Sequence, residues 1–209
     1  MKLIITFVII LLSFNTFASA PQKNVLMMVS EGFYAPEYFK PLKAFREAGF
    51  KITTATKYAR AIKPDERQIN EYPAVTGQIT FKEIDAQDYD AIVFAGGNGA
   101  WEDFFPNPDV HKALTSFMNE GKVVALICSA TGLLGVANNF SGNELPIAEG
   151  RKVTGYKRVK GLLVKLGRVD YVSGPKGEPF VVVDKNLITA RDPLSSELFA
   201  QKIIEKLSK

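Results

Sequence analysis

Short apolar runs alternate along this chain with stretches of helical periodicity, and that alternation restricts the fold more than any other feature. Residues 24–30 (NVLMMVS), 50–56 (FKITTAT), 89–95 (YDAIVFA) and 123–127 (VVALI) read as strands. Between the first two, Tyr38, Leu42 and Phe45 fall at helical spacing, and Gly49 supplies a stop. After the third, Asn107 and Pro108 suit the N-cap and first position of a helix. Val110, Ala113, Leu114, Phe117 and Met118 give that helix one apolar face, which Gly121 closes. Residues 130–136 look helical directly after the fourth strand. Residues 180–184 and 187–190 are predicted short strands about a turn at Lys185-Asn186, and Ala200, Ile203, Ile204 and Leu207 mark the inner face of a last helix. Apolar strands separated by amphipathic helices predict an α/β fold, a mostly parallel sheet covered by helices on both faces. Ligands in such sheets sit at the carboxyl ends of the strands. Residues 57–78 and 138–150 are polar, contain Pro or Gly, and read as surface excursions.

The first twenty residues stand apart. A basic Met1-Lys2 start, an apolar run over 3–12 and Ala18-Ser19-Ala20 match a signal peptide over 1–20, leaving 21–209 as a single domain. The run is shorter than the roughly 20 apolar residues of a membrane span, and no later stretch approaches that length. The expectation is an exported protein, periplasmic or extracellular, with no stable membrane anchor after processing. Lys and Arg number 26 against 22 Asp and Glu, and a net charge of +4 gives no argument for a nucleic-acid partner. One Cys excludes an intramolecular disulfide and any multi-Cys zinc or iron–sulfur site, and one His excludes His-rich metal sites. Gly97-Asn98-Gly99 fails the dinucleotide pattern at Glu102, and no phosphate-loop motif occurs. Neither a metal nor a cofactor is therefore expected.

Cys128 stands between the strand VVALI and the helical stretch SATGLLGVA, the position of a nucleophile elbow. A helix N-terminus favours thiolate, so position alone predicts a thiol below its ordinary value of about 8.5. A cysteine that merely ends a buried strand fits the same position.

The run FAGGNGAWEDFFPNPDVHKALTSFMNEGKVVALICSATGLLGVANN resembles the ThiJ/PfpI superfamily, relatives of class I glutamine amidotransferases. So do VTGY at 153–156 and PFVVVDKNLITARDPLSS at 179–196. The likeness is greatest to the branch of bacterial heat-shock chaperones and glyoxalase III-type enzymes. It implies a flavodoxin-like three-layer sandwich and a homodimer. It places the nucleophile on Cys128, its acidic partner on Glu37 (with the matching proline at Pro41), and oxyanion-type backbone donors at Gly97 and Ser129. In the family, a protonated carboxyl at that position donates to the thiolate.

The departures bear on function. Many enzymatic relatives carry Cys-His-Gly-Pro where this chain has Cys128-Ser129-Ala130-Thr131, and a histidine often stands where Asn98 does. Acidic residues usual after the VTG-aromatic element are replaced by Lys157, Arg158 and Val159. The sole histidine, His111, falls outside the apolar face of its helix and reads as a surface residue. Without histidine, chemistry that must protonate a leaving amine suffers most, whereas thiol addition to an aldehyde needs no leaving group. The basic segment 157–177 reads either as a solvated surface or as a rim attracting an anionic ligand. Two functions stay open: an enzyme acting on a small carbonyl or acyl compound through Cys128 and Glu37, and a non-catalytic protein that responds to oxidation or holds unfolded chains.

Overall fold

The computed structural model describes residues 21–141 and 145–209. The expected signal peptide and part of the 138–150 excursion lie outside the described residues. The first five strands are β1 (Asn24–Met28), β2 (Lys51–Thr56), β3 (Ala61–Ile62), β4 (Val75–Thr76) and β5 (Ile79–Thr80). Then follow β6 (Ala91–Phe94), β7 (Val123–Ile127), β8 (Lys152–Val153), β9 (Asp170–Tyr171), β10 (Val181–Asp184) and β11 (Leu187–Ala190). The helices are α1 (Ala35–Glu47), α2 (Pro108–Asn119), α3 (Leu133–Ser141), α4 (Lys160–Lys165) and α5 (Ser196–Leu207). The main sheet runs β10-β11-β7-β6-β1-β2-β5, parallel except where β10 pairs antiparallel with β11. β3–β4 and β8–β9 form two small separate ribbons.

Alternate residues of the central strands face opposite layers. Leu26, Met28, Ile92, Phe94, Val124 and Leu126 pack with Val110, Leu114 and Phe117 of α2 and Leu133 and Leu134 of α3. Val25, Met27, Val93, Ala125 and Ile127 pack with Tyr38, Leu42 and Phe45 of α1 and with Phe199 and Ile203 of α5. Each large apolar side chain taken fully from water contributes about 1.5–3 kcal/mol, so both sheet faces are strongly held. This is the expected three-layer α/β sandwich of flavodoxin type.

Local signals explain the helix starts. The Asn107 side chain accepts hydrogen bonds from the N–H groups of Asp109 (3.0 Å) and Val110 (3.4 Å), with Pro108 opening α2 behind it. Two readings of the helices need correction. Residues 130–136 are not one helix, because a tight 3-10 turn over Cys128–Gly132 precedes α3. His111 is not at the surface; it is 2% exposed. A π-helical turn (Ala100–Phe104), followed by Phe105, folds over the start of α2 and covers the side that periodicity marks as outward.

The 57–78 excursion is not wholly solvated either. Ile62, Asp65, Gln68 and Val75 within it are buried, and the Gln68 side chain accepts a hydrogen bond from the Ala35 N–H at 2.9 Å. That bond ties the excursion to the first residue of α1, beside the strand ends.

Candidate active site

The chain runs from β1 to β2 on one side and later returns to β6 on the other, so strand order reverses between β1 and β6. Crevices at such reversals, at the carboxyl ends of the strands, are where open α/β sheets bind ligands. Three loops converge there. The loop after β1 leads into α1 with Glu37 in its first turn, the loop after β6 holds Gly96 and Gly97, and Cys128 directly follows β7.

Cys128 has φ = +57°, a left-handed conformation that is strained for a residue with a side chain. It is the sharp strand-to-turn geometry of a nucleophile elbow. The Cys128 carbonyl accepts hydrogen bonds from the Tyr156 N–H (3.2 Å) and the Thr131 hydroxyl (2.7 Å), which fix the turn. The neighbouring Ser129 hydroxyl accepts from the Gly97 N–H at 2.9 Å and donates to the Gly97 carbonyl at 2.7 Å. This two-way bond ties the elbow to the glycine turn. The Gly97 N–H is thus engaged by Ser129 instead of pointing freely into the crevice. Gly97 itself has φ = +125°, a conformation natural only to glycine. The Ser129 N–H faces the Cys128 sulfur and favours its thiolate.

Glu37 is wholly buried. Its carboxyl interacts with the Cys128 side chain and the Gly96 backbone, neither at full hydrogen-bond geometry. The helix N-terminus around it favours a negative charge by about 0.3–1 kcal/mol. Burial outweighs that and pushes the Glu37 carboxyl from 4.5 up to about 8. The thiol is not the low-pKa group that its position predicts: burial, then the neighbouring Glu37 charge, push Cys128 up. The two groups titrate as a pair. Once the first proton leaves, a single proton is shared between sulfur and carboxyl, and the state with thiolate and neutral carboxyl is the nucleophilic one.

Above this pair lies a small cavity of about 190 Å³, walled by Tyr34, Trp101, Tyr156, Asn98, Arg67 and Arg158, with Cys128 and Ser129 at its floor. The Arg67 guanidinium grips the buried Asp65 carboxylate with Nε–Oδ1 at 2.6 Å and Nη2–Oδ2 at 3.0 Å. That grip holds the Asp65 carboxyl below its ordinary value. The Asn98 side chain donates to the same carboxylate at 3.2 Å. Among the described residues no group of three or more His, Cys, Asp or Glu is placed to hold a metal ion.

A profile of the DJ-1/PfpI family matches residues 23–206. The chain belongs to that family. Protein/nucleic acid deglycase 2 of Escherichia coli is 26% identical over 188 residues, which cover 88% of this chain and 98% of that protein. Glyoxalase 3 of Candida albicans is 23% identical over 209 residues, covering 83% and 88%. The crystal structure of Drosophila melanogaster DJ-1beta superposes with a TM-score of 0.75 at 28% identity, covering 90% of this chain and 91% of that one.

The fold brings the four residues implied by the resemblance, Cys128, Glu37, Gly97 and Ser129, to one place. The aromatic walls and Arg67 lay outside the sequence reading. Their signal was weak, because Tyr34 stands in the loop before α1, Arg67 in the 57–78 excursion and Trp101 in a π-helical turn, none with periodicity, and Tyr156 was visible only as part of VTGY. The basic segment after VTGY was visible, and of it Arg158 reaches the cavity wall.

Proposed function

We propose that this chain is an exported cysteine-dependent enzyme acting on small reactive carbonyl or acyl compounds, with Cys128 as nucleophile and Glu37 as its proton partner. The observation that carries this reading is a buried thiol–carboxyl pair at the floor of a small cavity. Sulfur attacks the carbonyl carbon, a C–S bond forms, the C=O π pair moves to oxygen, and the thiol's proton ends on that oxygen. The product is a neutral hemithioacetal and no leaving group is required. A carboxyl near 8 is well matched to pass that proton at neutral pH. Glyoxalase and deglycase relatives support the carbonyl class. Peptide hydrolysis fits less well, since no histidine lines the cavity to protonate a leaving amine.

Consumption of glyoxal and methylglyoxal tests this reading. Cys128→Ala should abolish turnover, and Glu37→Gln should lower it by about 10²–10⁴-fold, as loss of a general acid–base does. Turnover that survives Cys128→Ala would overturn the assignment. No turnover in wild type, with holdase activity kept in Cys128→Ala, would favour a non-catalytic chaperone instead.

Export belongs to the same proposal. The mature chain should begin at Pro21, which an intact-mass measurement of the exported protein decides. The homodimer implied by family resemblance is checked by light scattering.

A further inference from the structure

We propose that Arg158 makes the Cys128 cavity selective for small carbonyl compounds bearing a carboxylate next to the reacting carbon, that is, 2-oxo acids. The inference rests on the nucleophilic role proposed above for Cys128 and extends it to the substrate.

Two charged side chains line the cavity, Arg67 and Arg158, and no acidic residue does. They are not equivalent. Arg67 spends its fork on Asp65, so its charge is largely offset. Arg158 makes no hydrogen bond or ion pair with any described residue. It sits in a 3-10 turn, Lys157–Val159, whose backbone is pinned to the elbow through the Tyr156 N–H bond to the Cys128 carbonyl. Its near neighbours Lys157 and Lys160 add positive charge. Of the carboxyls closest to the pair, Glu37 is neutral below about 8. Asp192 has one oxygen bonded to the Ser195 hydroxyl at 3.0 Å and the other to Arg191 Nε at 2.9 Å. The field in the cavity is therefore positive, and an unpaired guanidinium is the group best shaped to grip a carboxylate with two parallel hydrogen bonds.

Size narrows the ligand further. At about 190 Å³ the cavity is smaller than the roughly 300–1,000 Å³ of pockets for drug-sized ligands, so a molecule touching both Arg158 and Cys128 has few atoms between its carboxylate and its electrophilic carbon. With glyoxylate, sulfur adds to the aldehyde carbon, the thiol proton moves to the aldehyde oxygen, and the carboxylate stays unchanged against Arg158.

The chain has one Cys, so two alkylating reagents of equal size read the field at its sulfur directly. Anionic iodoacetate and neutral iodoacetamide need the same thiolate, so their rate ratio is independent of thiol pKa. Relative to glutathione, wild type should favour iodoacetate about tenfold, and the preference should shrink with added salt. Arg158→Gln should bring the ratio to that of glutathione, Arg158→Lys should keep part of it, and Lys165→Gln, outside the cavity, should leave it unchanged. In hemithioacetal formation, the glyoxylate-to-glyoxal affinity ratio should fall with Arg158→Gln in parallel. A wild-type ratio no higher than glutathione's, or one that Arg158→Gln does not alter, overturns the inference even if glyoxal is consumed. If the ratio behaves as expected and glyoxal is not consumed, the anion-selective cavity stands and the enzymatic reading of Cys128 falls.

Discussion

The Glu37 carboxyl and the Cys128 side chain meet across Gly96, and only a glycine permits their approach. A Cβ at Gly96 would lie 2.5 Å from a Glu37 carboxyl oxygen, 2.7 Å from the Ile127 carbonyl oxygen and 2.9 Å from the Cys128 Cβ. Two of these neighbours belong to backbone or to the strained elbow and cannot swing aside. Gly96→Ala should destabilise the protein by about 1–3 kcal/mol, the usual cost of overpacking, and push the two groups apart. A urea unfolding midpoint and a thiol titration unchanged from wild type would show that the contact is looser than this.

Shared protonation makes a prediction about the thiol. Wild-type Cys128 should gain reactivity toward iodoacetamide with a midpoint above that of a free thiol, because burial and then the Glu37 charge push it up. Glu37→Gln removes the negative charge that adds to burial in pushing the sulfur up. Its midpoint should move below that of wild type. A midpoint that stays or rises in Glu37→Gln means that the carboxyl charge does not act on the sulfur.

The same carboxyl couples folding to pH. Its pKa is about 8 in the fold against 4.5 unperturbed, so between those values the native state holds a proton that the unfolded chain has released. Stability from Glu37 is therefore complete below pH 4.5 and declines as pH rises to about 8. The slope from this one group approaches 1.4 kcal/mol per pH unit. Glu37→Gln should flatten the wild-type profile across that window in urea denaturation. Parallel profiles would place the carboxyl in a more polar setting than its burial implies.

Much of the fold could be read from the residues because its sheet is buried on both faces. VVALI and LITA form strands with the predicted limits, and Asn107, Pro108, Gly49 and Gly121 punctuate the helices as expected. Strand ends elsewhere shifted by a residue or two, since Ser30 and Tyr89 belong to loops that the sheet merely approaches. The Cys128 elbow was legible as a strand-to-helix junction, and Glu37 only through family resemblance, because nothing in its own sequence distinguishes it from a solvated acid at a helix start. The thiol's pKa was misjudged because a helix N-terminus can be read from sequence and burial cannot. His111 was misplaced for a related reason: periodicity describes one helix face and is blind to a loop folding over the other.

His111 gives the last prediction. Its ring interacts with the backbone of Phe104 and Phe105, and the Phe105 ring packs edge-on against Trp101 at 4.8 Å, so the histidine buttresses one wall of the cavity from behind. Burial holds its pKa below the ordinary 6.5. The unfolded chain then takes up a proton that the native state refuses, and the stability this group contributes, complete above 6.5, is lost as pH falls toward the native value. Most carboxylates titrate lower, near 4, so the interval from 6.5 to about 5 isolates the effect from them, and subtracting a variant removes the opposing Glu37 slope. His111→Gln keeps a side-chain donor and loses the titration, at a cost of about 1–3 kcal/mol for a disturbed buried polar group. Wild type minus His111→Gln should lose stability with acid in that interval. Trp101, the sole Trp, should report the loosening as a red-shifted emission in wild type before global unfolding, with no such shift in the variant. Identical acid profiles and identical emission in the two proteins would detach His111 from the Trp101 wall.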